Sequence, residues 1–565
     1  MTTADFDRIL DELGHFGRYQ LINYLLLFIP LFFTSAFVLT FAFAAGEPDY
    51  RCLVPECENG LGPYSPTWLK NAVPFGEDGR PSLCTRYAVS TGASDWVNGT
   101  CPADGFLKNV THHCNDLIFR GEMVTIVNTF NLTCVNNKWK LTLIGTMNFL
   151  GQFFGLPLAG AMSDRFGRRT VLVSAIIGQS ICGIAKALAP SYLFYITLEF
   201  METLIGGGLF PTLFVLALEL VGPSRRTIGG VSINVIYAFG TAYLALLAWA
   251  LPYWRHMLFA VYAPTLIFIL YLWLIPESVR WLMSRGRFED ASSVVHKAAT
   301  RNGVQLSNVA LSMFKSSSDS NGTPQTERVE SSDDIPDGFQ FKLIKEMLTS
   351  KILVIRLLVN FVCWISCTVV YYGLSLGSVT LSGDKYMNFA VTALVEAPGN
   401  IIVWPMMEWV GRRKTLSATL ILAGILCIVV PFLSHDEELQ WLVTTSFMLG
   451  KIFITGSFNV LYTYSSEMFP TGLRSSSLAA CSTFGRIGSM LAPQAPLLAV
   501  YGASLPYIVF GAMALIAGFS SLILPETLNQ NLPDTVKEAE ELSWRNTKKK
   551  KFLPNYKIGY SPATL

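Results

Sequence analysis

Six ionisable side chains, Lys186, Glu199, Glu202, Glu396, Lys451 and Arg486, fall within long apolar runs. Such residues are costly at bilayer depth and mark transport paths or relays. The sharpest is Arg486, in CSTFGRIGSMLAP. A guanidinium keeps its charge and can hold a carboxylate through two parallel hydrogen bonds. Its chemistry is therefore contact with a substrate carboxylate or a structural ion pair with Glu396 or another acid, the two being compatible at different stages of a cycle. Glu396, in TALVEAPGN, can meet an ammonium or balance Arg486. Lys451, in MLGKIFITGSFNVLY, is followed seven residues on by Phe458, two turns along the same helical face. Lys186 and Glu199 lie toward the outer ends of adjacent runs and can pair; Glu199 and Glu202 are also candidates for ion coupling.

The elements that must position these groups are membrane spans. The 565-residue chain is 51% hydrophobic and only 15% charged, with a mean hydropathy of +0.41. Soluble chains carry about a quarter charged residues. Twelve apolar segments are predicted, at about 21–44, 141–162, 170–189, 191–216, 227–250 and 256–275, then 352–374, 386–407, 415–433, 440–464, 475–497 and 503–524. This is an all-α membrane protein of two six-helix halves, 21–275 and 351–527. Residues 1–20 read as a cytoplasmic amphipathic helix rather than a signal peptide. Residues 276–350 form a cytoplasmic linker, partly disordered by composition, and 528–565 a cytoplasmic tail.

Arginines and lysines near the segment ends cluster on one side, which makes that side cytoplasmic and places both termini there. The other side receives the loop 46–140, with Cys52, Cys57, Cys84, Cys101, Cys114 and Cys134 and sequons at Asn98, Asn109 and Asn131. An even cysteine count with sequons indicates an oxidised, glycosylated extracellular subdomain, and six cysteines leave 15 pairings open. Cysteines 182, 363, 367, 427 and 481 lie in spans, as small apolar fillers.

The halves repeat one another. GAMSDRFGRR (160–169) matches WPMMEWVGRRK (404–414), ELVGPSRR matches EMFPTGLR, and PESVRWL matches PETLNQNL. The acids Asp164, Glu219, Glu408 and Glu467, with Arg165, Arg168, Arg169, Arg226, Arg412, Arg413 and Arg474, are predicted to form a cytoplasmic charge network that holds the halves closed and breaks as they rock. Solvated positive-inside charge would explain the arginines but not the matched acids and glycines.

With these motifs on the page, the chain resembles the major facilitator superfamily over nearly its whole length. The cysteine-rich loop, PESVRWLMSRGRFEDA and PETLNQNLPDT are similar to its organic cation, organic anion and carnitine transporter family. The resemblance implies uptake of small organic ions by alternating access. In that family, cation carriers place an aspartate near Arg486, whereas the anion and carnitine branches place an arginine. The resemblance also implies that Glu396, Lys451, Tyr237, Tyr371, Tyr372 and Phe458 face the central cavity, where rings offer cation–π faces. Three positions depart from the pattern. Asn400 stands where the anion branch has a lysine, Glu199 where an arginine is usual, and Gly206, Leu209 and Phe210 where carnitine carriers have polar groups. The triplet GGG at 206–208 reads as a close-packing device.

The reading is a plasma-membrane secondary transporter of a small zwitterion or carboxylate-bearing solute, β-alanine-like or carnitine-like, with Arg486 and Glu396 both available to it. The alternatives are an organic cation carrier using Glu396 and the aromatics, and, more distantly, a receptor or adhesion protein acting through the loop. No metal-ligand cluster, HExxH, nucleophile elbow or phosphate loop occurs, so no enzyme, metal or cofactor is expected. A net charge of +2 gives no reason to expect nucleic acid. The partners are the organic ion and the lipid bilayer; sodium and proton both stand open as coupling ions, and a monomer suffices for transport.

Overall fold

The computed structural model describes residues 12–13, 17–58, 63–76, 79, 81–90, 101–114, 116–222, 226–305, 343, 345–433, 440–470, 473–530, 533 and 535–542. Asn98, Arg225, residues 306–342 of the linker, most of residues 1–16 and the tail from 543 lie outside them, as do the side chains of Arg226, Thr227 and Ser475.

Among the described residues, ten helices are long and apolar enough to cross a membrane: α1 Arg18–Ala44, α2 Val135–Phe166, α3 Arg168–Ala187, α4 Tyr192–Glu219, α5 Ile228–Ala250, α6 Trp254–Leu274, α7 Lys351–Thr380, α8 Lys385–Trp409, α9 Arg412–Leu433 and α10 Gln440–Met468. Two further helical segments lie where the eleventh and twelfth spans were expected. The first, α11, runs from Arg474–Leu491 through a tight turn into Ala495–Tyr501; its serines and arginines lower its apolar content. The second, α12, is Leu505–Ser521. Leu193, Trp249, Trp273, Phe432, Trp441 and Ile516 are exposed, as side chains facing lipid must be.

Local chemistry sets several helix starts. Ser191, Ser350 and Asp384 accept hydrogen bonds from the backbone N–H groups of Phe194, Leu353 and Met387, satisfying donors that a helix start leaves free. The breaks in α8 and α4 lie beside polar groups. In α8 the break at Val395 follows from Pro398, which has no N–H to give the carbonyl four residues earlier. Glu396 thereby begins the second piece, at the positive end of its dipole. In α4 the break falls at the glycine triplet. A Cβ on Gly206 or Gly208 would meet Gln179 or Ala159 at 1.7 and 2.0 Å, so these glycines let α4 press against α3 and α2.

The halves meet where α2 packs on α11 and α5 on α8. On the face that carries the 46–140 loop they share one core, in which Phe37, Phe149 and Tyr262 are joined by Tyr372, Phe389 and Ala492. Phe43 stacks on Tyr386 at 5.6 Å, and Gln494 donates to Thr146 at 2.5 Å. The larger remaining cores belong to one half each, so the joint between halves is densest on the loop face.

The loop folds around two antiparallel ribbons. Strands β1 (Tyr50–Cys52) and β4 (Leu117–Phe119) pair with Arg51 opposite Ile118. Strands β2 (Thr85–Val89) and β3 (Phe106–His113) pair with a bulge between Tyr87 and Ala88. Of the 15 pairings, the structure selects Cys52–Cys114, Cys57–Cys101 and Cys84–Cys134. Asn109 and Asn131 are exposed. Beneath the ribbons, Arg51 is fully buried and grips Glu58 with both terminal nitrogens, at 2.6 and 2.8 Å. It also donates to the carbonyls of Tyr64, Cys52 and Pro63. Removing one member of such a pair strands the other charge, at about 3–5 kcal/mol. Arg51→Ala is therefore expected to lower surface expression sharply, and Arg51→Ala with Glu58→Gln to recover part of it, as read by surface biotinylation.

Candidate functional site

Arg486 projects from α11 between the halves. Its Nη1 donates to Gln152 Oε1 of α2 at 3.0 Å and to the Tyr372 hydroxyl of α7 at 3.3 Å. Among the described residues no carboxylate lies within ion-pair distance of it. Its Nε and Nη2 have no protein partner there, so the fork that could hold a carboxylate stays available. Tyr372 is held by Phe149 at 4.6 Å and Tyr371 at 5.0 Å. Tyr237 of α5 lies within electrostatic reach of Arg486, Tyr372 and Glu396.

Glu396 does not oppose Arg486 directly, as the sequence reading had it. Its Oε1 meets the Lys451 ammonium at 2.8 Å, and its Oε2 accepts from the Tyr371 hydroxyl at 2.8 Å. Lys451 also donates to Ser375 Oγ at 2.7 Å and to the Tyr371 carbonyl at 3.2 Å, and lies 3.4 Å from the centre of the Tyr371 ring. The reason is distance along the fold. The break in α8 turns Glu396 toward α10 and α7 inside the C-terminal half, whereas Arg486 faces α2. Phe458 packs on Tyr371 at 5.4 Å and on Trp364 at 5.8 Å, closing the aromatic wall.

In the N-terminal half Lys186, Glu199 and Glu202 are fully buried together. Lys186 donates to Glu199 Oε2 at 2.9 Å and to Glu202 Oε2. Tyr262 donates to Glu202 Oε1 at 2.5 Å, and Asn148 Nδ2 to Glu199 Oε1 at 2.8 Å. Gln152 Nε2 donates to Asn148 Oδ1 at 3.0 Å. An unbroken line of polar contacts therefore runs from Arg486 into this cluster.

On the opposite face the duplicated motifs form the same device twice. Gly167 and Gly411 have φ of +99° and +103°, a region L side chains rarely adopt. Their Cβ positions would lie 2.4 and 2.6 Å from the carboxylates of Glu277 and Glu526. Those carboxylates accept from the N–H groups of Arg169 (3.1 Å) and Arg412 (2.8 Å), capping α3 and α9. Arg168 bridges Asp164 (3.0 Å) and approaches Glu219 (3.8 Å), and Arg412 meets Glu467 at 3.2 Å. These three pairs tie neighbouring helices within a half, α2, α3 and α4 in one bundle and α9 and α10 in the other. Arg165 and Glu408 are exposed; Arg413 and Arg474 are also engaged.

Sequence reasoning missed Asn148, Gln152, Ser375 and Tyr262, and gave no role to Glu277 or Glu526. Asn148 and Gln152 stand four apart in an apolar run, a polar stripe on one helix face that was legible. The other contacts join distant segments and carry no local signal.

The family model described as Major Facilitator Superfamily matches residues 123–493 and 371–558. The chain is 31% identical over 538 residues to the organic cation transporter protein of Drosophila melanogaster, covering 95% of this chain and 94% of that one. It is 30% identical over 547 residues to organic cation/carnitine transporter 2 of Homo sapiens, covering 94% and 93%. Among solved structures, the inward-open xylose transporter XylE from E. coli superposes with a TM-score of 0.53 at 17% identity, over 71% of this chain and 89% of that one. A likeness that distant speaks for the fold alone.

The Glu396–Lys451 contact gives a direct test. Lys451→Met leaves a buried carboxylate unpaired and is expected to destabilise by about 3–5 kcal/mol. Lys451→Met with Glu396→Gln removes both charges and is expected to recover most of that loss, as measured by thermal melting in detergent.

Proposed function

We propose that this chain, which belongs to the major facilitator superfamily and within it to the organic cation/carnitine transporter family, carries a small carboxylate-bearing solute across the plasma membrane by alternating access, with Arg486 as the carboxylate's counter-ion. Membership makes it a multi-pass secondary transporter of organic solutes rather than an enzyme. The observation that carries the choice of solute is charge. Glu396 already has Lys451 as partner, whereas Arg486 has only neutral ones. The central surface therefore offers one positive charge with no carboxylate in direct contact with it among the described residues.

A zwitterion, β-alanine-like or carnitine-like, fits the same site. Its carboxylate would meet Arg486 and its ammonium the rings of Tyr371, Tyr372, Tyr237 and Phe458. This refines the expectation that Arg486 and Glu396 would each take one charge of the solute, since Glu396 is engaged. Both termini on the cytoplasmic side, with the glycosylated loop outside, follow from the distribution of basic residues. A second reading, an organic cation carrier, is favoured by the names of the relatives and by the aromatic wall beside Glu396.

Uptake by expressing cells of radiolabelled hippurate, β-alanine, L-carnitine and tetraethylammonium separates the two. A hydrogen bond to a charged group contributes about 1.5–3 kcal/mol. Arg486→Ala is therefore expected to raise KM for the carboxylates about 10–100-fold, and Arg486→Lys to recover little, since a point charge lacks the planar fork. Carboxylate uptake that survives Arg486→Ala, or wild-type uptake of tetraethylammonium alone, would sink the proposal.

A further inference from the structure

Counting charge in the buried N-terminal cluster raises a question that the substrate site alone does not answer. Lys186 contributes one positive charge and Glu199 and Glu202 two negative ones, and all three side chains are fully buried. Each of the four carboxylate oxygens accepts a hydrogen bond, two from Lys186, one from Asn148 and one from Tyr262. With both carboxylates ionised, the cluster carries one net negative charge. The groups facing it are Cys182 on α3, Tyr195 on α4, Tyr262 on α6, Thr40 on α1, and Asn148 with Gln152 on α2. None of these is a second cation.

The balancing charge is Arg486, at the far end of the amide line. Asn148 turns its NH2 to Glu199 and its carbonyl to Gln152; Gln152 turns its NH2 to Asn148 and its carbonyl to Arg486. Both amide dipoles therefore point their negative ends at the arginine and their positive ends at the acids. Lys186, Glu199, Glu202 and Arg486 together are neutral, and Lys451 with Glu396 is neutral separately.

We infer that the Lys186–Glu199–Glu202 cluster is the proton-coupling site of this carrier, taking up one proton when a solute carboxylate neutralises Arg486 and releasing it on the far side with that solute. The inference rests on the reading of Arg486 given above. A bound carboxylate cancels the arginine's charge and leaves the cluster with an unbalanced negative charge in a medium that screens weakly. A proton from water on the loop face then adds to one carboxylate oxygen, forming an O–H bond. It is lost to water on the opposite face when the carboxylate leaves Arg486 and the guanidinium again balances the cluster. One monocarboxylate anion and one proton cross together, with no net charge. The new O–H finds an acceptor without added space, because the Tyr262 hydroxyl facing Glu202 Oε1 can turn its own hydrogen to Thr40 Oγ1, 3.3 Å away, and accept from Glu202. The linkage is reciprocal, so protonation of the cluster must tighten binding of the carboxylate.

The test uses purified full-length protein in liposomes, with the membrane potential clamped, a luminal pH dye, and hippurate, β-alanine and L-carnitine as labelled probes. In the wild type, addition of a transported probe is expected to acidify the lumen. Its KM is expected to be at least about threefold lower at about pH 6 than at about pH 8. Glu202→Gln and Glu199→Gln are each expected to abolish luminal acidification and to leave KM independent of pH, a signature that mere loosening of the bundle would not produce. The wild-type measurement needs no variant to fold. Uptake without proton movement, uptake driven by sodium at constant pH, or folded glutamine variants that still acidify the lumen would overturn the inference. If Arg486→Ala spares carboxylate uptake, the reading of Arg486 fails; if it abolishes uptake while wild-type transport ignores pH, only the proton coupling fails.

Discussion

Every charge buried in this molecule must find a partner, because a charge unpaired in an apolar bundle is far more costly than the net gain from any pair. Most of the structure can be read as obedience to that constraint. Lys451 and Glu396 satisfy it within the C-terminal half, and Arg51 and Glu58 within the loop. Glu277 and Glu526 satisfy it by capping helix starts. Arg486 differs from them: its partners are an amide and a phenol, and among the described residues no carboxylate touches it, which is the ground for proposing it as the counter-ion of a solute.

The internal duplication is visible in detail at one face and lost in the centre. Gly167, Arg168, Glu219 and Glu277 repeat as Gly411, Arg412, Glu467 and Glu526. In the centre the halves differ: the N-terminal half holds two acids against one base, and the C-terminal half holds two bases against one acid. Repetition at the helix ends gives two bundles with similar joints. The central difference leaves an acid-rich cluster in one bundle and a base-rich one in the other, joined by the Asn148–Gln152 amide line.

The conformation also follows from packing. A single apolar core joins both halves on the loop face, through Phe37, Phe149, Tyr372, Phe389 and Ala492. On the opposite face the pairs of Arg168 with Asp164 and Glu219, and of Arg412 with Glu467, run within a half. The joint is mainly apolar and carries few directional bonds, among them those of Thr146 with Gln494 and the Met490 carbonyl. Alternating access needs only that the shared core part while each bundle keeps its own contacts.

The sequence by itself determined the apolar segments, the six loop cysteines and the duplicated motifs, since hydrophobic length and repetition are local properties of the chain. It also marked the six ionisable residues that lie inside apolar runs, because a charge there is conspicuous without any fold. Partnership was decided only in three dimensions. Glu396 goes to Lys451 rather than Arg486, Lys186 bridges two acids at once, and Cys52 finds Cys114 among 15 possible arrangements. The physical reason is that a pair depends on which helix faces a break or a close approach turns toward each other. Pro398 and the 206–208 glycines supply those turns, and their consequences appear only once neighbouring helices are packed against them.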